Sequence, residues 1–147
     1  MSTGPSSIRV MTVDDHPLLR QDIAALLKTQ PDMELVAEAS DGEDAIAQFR
    51  RHRPDVTLMD LQMPNVNGTE AISRIRSEFP NAKILVLSTY AGDVHVLRAI
   101  KAGARGYLVK GNVRTELLEA IRTVHADASE SRAKLRRSWP TTLPMIS

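Results

Sequence analysis

The sequence predicts an α/β fold with a five-stranded parallel sheet that is covered by helices on both faces. Short apolar runs alternate with longer segments in which apolar residues recur at helical spacing, and the alternation repeats about every 25 residues. Such repetition is typical of βαβ units, whose right-handed crossovers place helices against a parallel sheet. The chain has 147 residues, which is enough for one such domain.

The first two strand–helix units follow from residue type and spacing. Residues 8–14 and 33–39 are rich in β-branched and apolar side chains, which predicts two strands. Residues 17–30 and 41–52 carry apolar side chains at helical spacing, which predicts two helices. Pro17 suits the first turn of its helix, because proline lacks the backbone N–H that this turn leaves unused.

The remaining three units continue the same alternation. Their strands are short apolar runs, predicted at residues 55–60, 83–88 and 106–110. Their helices carry apolar stripes, predicted at residues 67–79, 93–103 and 113–126. Five strand–helix units therefore account for residues 8–126.

Composition excludes several classes of protein. The chain contains no cysteine, which rules out disulfides and cysteine-bound zinc and fits a cytoplasmic location. It has no apolar stretch near the roughly 20 residues that a membrane span requires. Residues 1–126 hold 15 Lys and Arg against 16 Asp and Glu, so no basic surface for nucleic acid is predicted. The four histidines are scattered and form no metal-spaced pair.

Polar residues stand where four of the five predicted strands end. Ligands bind parallel α/β sheets at the carboxyl ends of the strands, so these positions are candidates for a common site. They are Asp14 and Asp15, Asp60, Ser88 and Thr89, and Lys110. The alternative for any single aspartate is a turn or cap residue, and Asp15 in particular could cap the helix that begins at Pro17.

Together these residues are suited to phosphoryl transfer. Three converging carboxylates repel one another unless a cation relieves the charge. Mg²⁺ prefers oxygen ligands and Lys110 supplies a mobile positive charge, so both would neutralise the carboxylates and an incoming phosphate. With the hydroxyl of Ser88 as a donor, the set predicts transfer of a phosphoryl group onto Asp60.

The sequence resembles the receiver domain of bacterial two-component response regulators. The matching segments, within residues 8–125, are VDDHPLLR, LMDLQMPNVNG, LSTY and AGARGYLVK. The resemblance implies the flavodoxin-like (βα)5 receiver fold. DDHPLLR, AGARGYLVKG and the short last helix most resemble the subfamily with a LuxR-type helix-turn-helix output domain. No such domain follows in this sequence, so DNA binding is expected only through a domain that the chain lacks.

The resemblance implies a role for each residue of the acidic set. Asp60 would accept a phosphoryl group from a sensor histidine kinase. Asp15 and Asp60 would bind Mg²⁺ together with the backbone carbonyl of Gln62, and Asp14 would act mostly through water. Lys110 would contact the phosphoryl group.

The resemblance also implies a conformational switch. Ser88 would be the hydroxyl that turns inward on phosphorylation, and Tyr107 the aromatic ring that moves with it. Thr89 is the adjacent alternative to Ser88, but the spacing to the following AGA segment selects Ser88. Gln62 and Tyr90 occupy the positions that tune dephosphorylation.

One position departs from the common receiver pattern. Many receivers have a proline after the lysine of the site, joined by a cis peptide bond, whereas Gly111 follows Lys110 here. A cis bond without proline costs about 3 kcal/mol, so the geometry of this bond stays open at the level of sequence. Members of the subfamily commonly lack that proline, so the phosphoacceptor function is still expected.

The two ends of the chain lie outside the receiver segment, residues 8–126. Residues 1–7 carry no signal-peptide pattern and are expected to be a disordered leader. Residues 127–147 have no periodicity and are expected to be an irregular tail. Codons compatible with this tail can encode, in another frame, a segment like the linker before a LuxR-type domain. We hypothesise a reading-frame shift near Ala126; the alternative is a natural single-domain receiver.

The predicted protein is a signalling domain that catalyses its own phosphorylation and dephosphorylation, and is not otherwise an enzyme. Its expected partners are a sensor histidine kinase and, in a homodimer, a second copy of the chain. Phosphorylation would switch conformation or dimerisation and so control transcription in a full-length parent protein.

Three alternative functions stay open. A phosphohydrolase resembling the haloacid dehalogenases would usually carry a second acid where Gln62 stands, and a cap domain. A flavodoxin-like module for a nucleotide or flavin would require a phosphate-binding loop where the acidic DDHP segment stands. A phosphorylation-independent interaction domain would keep the fold without the chemistry.

Overall fold

The structure, a computed structural model, describes residues 7–61, 63, 67–89 and 94–126. Five strands lie in this part of the chain: β1 (Ile8–Val13), β2 (Met33–Ala39), β3 (Val56–Asp60), β4 (Ile84–Ser88) and β5 (Gly106–Val109). Five α-helices alternate with them: α1 (Pro17–Lys28), α2 (Gly42–His52), α3 (Gly68–Glu78), α4 (Val94–Ala102) and α5 (Val113–Ala126). A short 3₁₀ turn, Lys110–Asn112, joins β5 to α5.

All five strands pair in parallel in one sheet, in the order β2–β1–β3–β4–β5. The predicted α/β fold with a parallel sheet is therefore confirmed. β1 and β3 are neighbours although β2 lies between them in sequence, because the chain reverses its direction of travel across the sheet after β2. Their carboxyl ends open side by side at this switch point, which is where ligands bind in such sheets.

Helices cover both faces of the sheet, and each face has its own apolar core. α1 and α5 share one core with the sheet, while α2, α3 and α4 share the other. Successive residues of a strand divide between the two cores: Val10 and Leu58 face α1 and α5, whereas Met11 and Met59 face the other three helices. Every residue of β3 and β4 is buried, as expected for central strands that are covered on both faces.

The predicted and observed elements differ only at their ends. β2 and α5 have the predicted bounds. α2 and α3 begin one residue later than predicted because Asp41 and Asn67 cap them: the side chains accept hydrogen bonds from the backbone N–H groups of Asp44 and Glu70. α1 ends at Lys28, two residues earlier than predicted, and β1 and β5 each end one residue earlier.

Several predictions fall on residues outside the described part of the chain. These include most of the leader, the tail from residue 127 onward, Gln62, Tyr90 and the predicted first residue of α4. Among the helices that are described, none is long and apolar enough to span a bilayer.

Candidate functional site

Two carboxylates from neighbouring strands form the centre of the site. Asp14 directly follows β1, and Asp60 is the last residue of β3. The side chain of Asp14 is completely buried and that of Asp60 is 2% exposed. Buried carboxylates require hydrogen bonds or a compensating charge, so this pair calls for a cation close by.

Lys110 brings a positive charge to both carboxylates. It opens the 3₁₀ turn after β5, two strands away from β3 in the sheet. Its Nζ lies 3.0 Å from Oδ1 of Asp60 and 3.6 Å from Oδ2 of Asp14. Asp15 lies at the rim of the same cluster, so three carboxylates share a single lysine.

Asp15 and His16 complete the cluster on its solvent side. The side chain of Asp15 is 34% exposed and that of His16 is 62% exposed. Nδ1 of His16 lies 2.8 Å from Oδ1 of Asp14 and 3.2 Å from Oδ1 of Asp15. The same nitrogen is 4.0 Å from Oδ2 of Asp60. The sequence analysis noted His16 only as one of four scattered histidines; its place after two aspartates at a strand end was the available signal for a position in this cluster.

The backbone at the start of α1 explains this arrangement. His16 is the N-cap of the helix, in an extended conformation, and makes no side-chain capping hydrogen bond. The alternative in which Asp15 caps this helix is therefore wrong. The backbone N–H of His16 donates to Oδ1 of Asp14 at 2.7 Å, which fixes that carboxylate. Arg20 donates to the backbone carbonyl of Asp14 and pairs with Glu38 on β2, so α1 also braces the end of β1.

Gly68 allows α3 to start against the end of β3. A Cβ atom at this position would lie 2.3 Å from the backbone oxygen of Asp60 and 2.8 Å from Cα of Leu61. Both atoms belong to the backbone at the end of β3, so a Cβ here would require the backbone next to the site to shift. The glycine that ends the LMDLQMPNVNG segment is therefore required by this close approach.

The predicted switch residues lie on the next two strands. Ser88 ends β4 and is 4% exposed, whereas Thr89 is exposed, which favours Ser88 as the residue that faces the interior. Tyr107 lies on β5 and packs against the core beneath α2, α3 and α4. Partial burial, together with the nearby charge of Glu116, raises the pKa of the Tyr107 hydroxyl above its ordinary value. The roles of Ser88 and Tyr107 stay predictions.

The cluster has the donor set of a divalent-metal site. Asp14, Asp15, His16 and Asp60 each offer one ligand atom, and these atoms all lie within 4.8 Å of one another. Oδ2 of Asp14 is buried and accepts no hydrogen bond from the described residues. Carboxylate oxygens in excess of cations, with a rim open to water, suit Mg²⁺, which takes one or two carboxylates and keeps several waters.

The peptide bond between Lys110 and Gly111 is trans, since the described residues contain no cis peptide bond. The geometry that the sequence left open is therefore decided. Lys110 reaches the two buried carboxylates from this trans backbone, so a proline after the lysine is not required for that contact.

The chain is similar to several known proteins. Residues 10–122 match the response regulator receiver domain family. The transcriptional regulatory protein YxjL of Bacillus subtilis is 45% identical over 115 residues, which cover 78% of this chain and 53% of the relative. The transcriptional regulatory protein DegU of Brevibacillus brevis is 39% identical over 119 residues, which cover 81% of this chain and 50% of the relative. The chain thus spans about half the length of these curated relatives.

A solved structure extends the comparison to three dimensions. The crystal structure of a LuxR-family two-component response regulator from an Aurantimonas species superposes with a TM-score of 0.77 at 34% identity. The match covers 90% of this chain and all of that one. The family match covers most of the chain, and it includes the strand ends that carry the acidic cluster and Lys110. The chain belongs to the response regulator receiver domain family, and its relatives are two-component response regulators of the LuxR type.

Proposed function

We propose that Asp60 accepts a phosphoryl group from the phosphohistidine of a sensor histidine kinase. The observation that supports this most is the contact between Lys110 and Asp60, 3.0 Å apart, beside the fully buried Asp14. A carboxylate nucleophile, a mobile cation and an excess of oxygen ligands are what transfer of a phosphoryl group requires. A structural ion pair at a strand end would not need the further carboxylate of Asp15 at its rim.

In the proposed step, an oxygen of Asp60 forms a bond to phosphorus while the bond from phosphorus to the kinase histidine nitrogen breaks. The lone pair returns to the imidazole, and Asp60 becomes a mixed anhydride. Lys110 follows the negative charge from the carboxylate to the phosphoryl oxygens, since its flexible stem already reaches both aspartates. Mg²⁺, held by Asp15, Asp60 and the backbone carbonyl of Gln62 with Asp14 acting mostly through water, would supply further positive charge for the phosphoryl oxygens.

Phosphorylation of Asp60 would change the conformation at the β5 edge of the sheet through Ser88 and Tyr107. Ser88 turns towards the new oxygens, and Tyr107 follows into the space it leaves. These two movements shift the conformational equilibrium of the surface made by α4, β5 and α5. The change in that surface alters dimerisation, and dimerisation controls DNA binding in a longer parent protein. Gln62 and Tyr90 then tune the rate at which the phosphoryl group is lost.

Catalysis in this proposal is confined to the protein's own aspartate. The chain promotes its phosphorylation and dephosphorylation in the cytoplasm and turns over no separate substrate. A phosphorylation-independent interaction domain is the second candidate, because the fold alone can present a helical surface to a partner. The intact acidic cluster favours the first candidate, since burying carboxylates costs stability that a purely structural domain would avoid.

Intact-protein mass spectrometry after incubation with Mg²⁺ and acetyl phosphate tests the proposal. The wild type should gain one phosphoryl group, about 80 Da, and Asp60→Ala should gain none. Asp22→Ala is the matched control, because Asp22 is a half-exposed aspartate of α1 and should leave the gain unchanged. A folded wild type that gains no mass, or an Asp60→Ala variant that still gains it, would refute the assignment.

A further inference from the structure

The peptide unit that joins Asp14 to Asp15 is held from helix α1. Arg20, one turn into that helix, donates a hydrogen bond from its Nη1 to the backbone carbonyl oxygen of Asp14. A peptide unit is planar, so the direction of this carbonyl also fixes the direction in which Asp15 leaves the strand end. A side chain from outside the acidic cluster thus acts on the backbone between two of its three carboxylates.

Glu38 orients the guanidinium of Arg20. Nε of Arg20 lies 3.4 Å from Oε1 of Glu38 on β2, while Nη1 of the same group reaches the carbonyl of Asp14. A guanidinium is planar and rigid, so the carboxylate at one edge determines where the other edge points. The side chain of Arg20 is 22% exposed, and it bridges α1 and the ends of β1 and β2.

Other polar groups of Asp14 are held as well. Its backbone N–H donates to the carbonyl of Ala39 at 3.0 Å, and its Oδ1 accepts hydrogen bonds from the backbone N–H and the ring of His16. Arg20 adds the constraint that acts on the link to Asp15. The side chain of Asp15 is 34% exposed at the rim of the cluster, so its direction depends on its backbone more than on packing.

We propose that Arg20 is a positioning residue of the phosphoacceptor site, because it holds the Asp14–Asp15 peptide so that both carboxylates face the same cation. This rests on the proposed function, in which Asp15 binds Mg²⁺ directly and Asp14 acts mostly through water. Arg20 is not a catalytic residue, since it contacts a backbone carbonyl and Glu38 and not the reacting atoms. Loss of a residue that orients metal ligands typically lowers metal affinity about ten- to a hundredfold.

The competing explanation is that Arg20 only attaches α1 to the sheet. Its loss would then lower the free energy of unfolding and would not weaken Mg²⁺ binding to the folded protein. If Arg20 positions the peptide, its loss weakens Mg²⁺ binding in protein that is still folded, because binding must then also order the two carboxylates. Removal of a positive charge would by itself strengthen the binding of a cation, so weaker binding identifies the positional effect.

Amide NMR titration of the unphosphorylated protein with Mg²⁺ separates the two explanations. We expect Arg20→Met to raise the dissociation constant for Mg²⁺ about tenfold, and Glu38→Ala to raise it by a smaller factor. Two controls should leave it unchanged: Arg74→Met, which removes an arginine with two carboxylate partners, and Glu34→Ala, at an exposed residue of β2. Unchanged affinity in folded Arg20→Met would overturn the proposal. If that variant does not fold, unchanged affinity in Glu38→Ala would overturn it.

The rate of phosphorylation gives a second result. Arg20→Met should need about tenfold more Mg²⁺ than wild type for its half-maximal rate with acetyl phosphate, and should reach the wild-type rate at saturating Mg²⁺. A lower maximal rate with an unchanged Mg²⁺ requirement would overturn the proposal. Wild type that binds Mg²⁺ and gains a phosphoryl group, with Arg20→Met identical to it, refutes this inference alone. Wild type that binds no Mg²⁺ and gains no mass refutes the proposed function as well.

Discussion

Nζ of Lys83 donates a hydrogen bond to the backbone carbonyl of His125, 2.8 Å away, and so joins the residue before β4 to the last turn of α5. The carbonyls of a last helical turn have no partner within the helix, and they carry the negative end of its dipole. A lysine at this place satisfies one of them and adds favourable charge. The contact joins the end of α5 to the sheet at the amino-terminal end of β4, whereas the acidic cluster lies at the carboxyl ends of the strands.

Lys83→Met should lower the free energy of unfolding by about 1.5 kcal/mol, because a charge-assisted hydrogen bond to a helix end is lost. Urea unfolding followed by circular dichroism measures this. Lys101→Met is the control, since Lys101 is an exposed lysine of α4. Equal effects of the two substitutions would show that the contact with His125 contributes nothing of its own.

The pair of Arg122 and Asp32 should make stability sensitive to acid. Arg122 donates two hydrogen bonds of 3.0 Å to the Asp32 carboxylate and thereby holds its pKa below the ordinary 3.8. A carboxyl with a lowered folded pKa adds stability above its unfolded pKa, and that stability is lost as pH falls through the folded pKa. The contribution is small, because both side chains are more than one-third exposed.

Asp32→Asn should therefore unfold in urea at a lower midpoint than wild type at neutral pH, with a difference that shrinks below about pH 4. Asp22→Asn removes a longer contact, 3.6 Å from Arg114, and serves as the matched control. A difference between Asp32→Asn and wild type that stays constant from neutral to acid pH would contradict the assignment.

Gly68→Ala should disrupt both the fold and the site. Its new Cβ would meet the backbone of Asp60, whereas a Cβ at Gly111 would meet nothing within 4 Å. We expect a loss of about 3 kcal/mol in unfolding free energy for Gly68→Ala and a change within about 0.5 kcal/mol for Gly111→Ala. Phosphorylation by acetyl phosphate should fall in the first variant alone. Two variants of equal stability would show that α3 shifts to make room.

Removal of the lysine charge should make the fold depend on Mg²⁺. Lys110→Met leaves Asp14 and Asp60 buried without the cation that now lies 3.0 to 3.6 Å away. We expect it to lose about 2 to 4 kcal/mol of stability in EDTA, and to regain more on addition of Mg²⁺ than the wild type does. Thermal unfolding with and without Mg²⁺ measures this, with Lys101→Met as the control. Equal Mg²⁺ effects in both variants would mean that Lys110 does not offset the carboxylates.

Residue patterns were sufficient to predict the sheet, its helices, the three carboxylates of the acidic cluster and the lysine beside them. Buried parallel strands consist of unbroken apolar runs, so a polar residue at the end of such a run is conspicuous, as at Asp60. Asp41 and Asn67 were placed inside helices because a cap and a first helical residue differ only in backbone angles.

Contacts that depend on tertiary geometry could not be predicted. Nothing in the spacing of His16 shows that its ring turns back towards Asp14, because that follows from the extended N-cap conformation. The requirement for glycine at position 68 depends on how closely α3 approaches the end of β3, which is likewise invisible in the sequence.

The late position of Lys110 in the sequence also determines when, during synthesis, the site can be completed. Ribosomes release the chain from its amino end, so Asp14 and Asp15 emerge first, then Asp60, and the lysine that faces them only after β5. β5 pairs with β4 alone, at an edge of the sheet, and is the last of the described strands to be synthesised. A nascent chain that stops short of Lys110 holds every carboxylate of the cluster and still lacks its fixed cation. The proposed phosphoacceptor site thus has its lysine only after β5 and Lys110 have been synthesised.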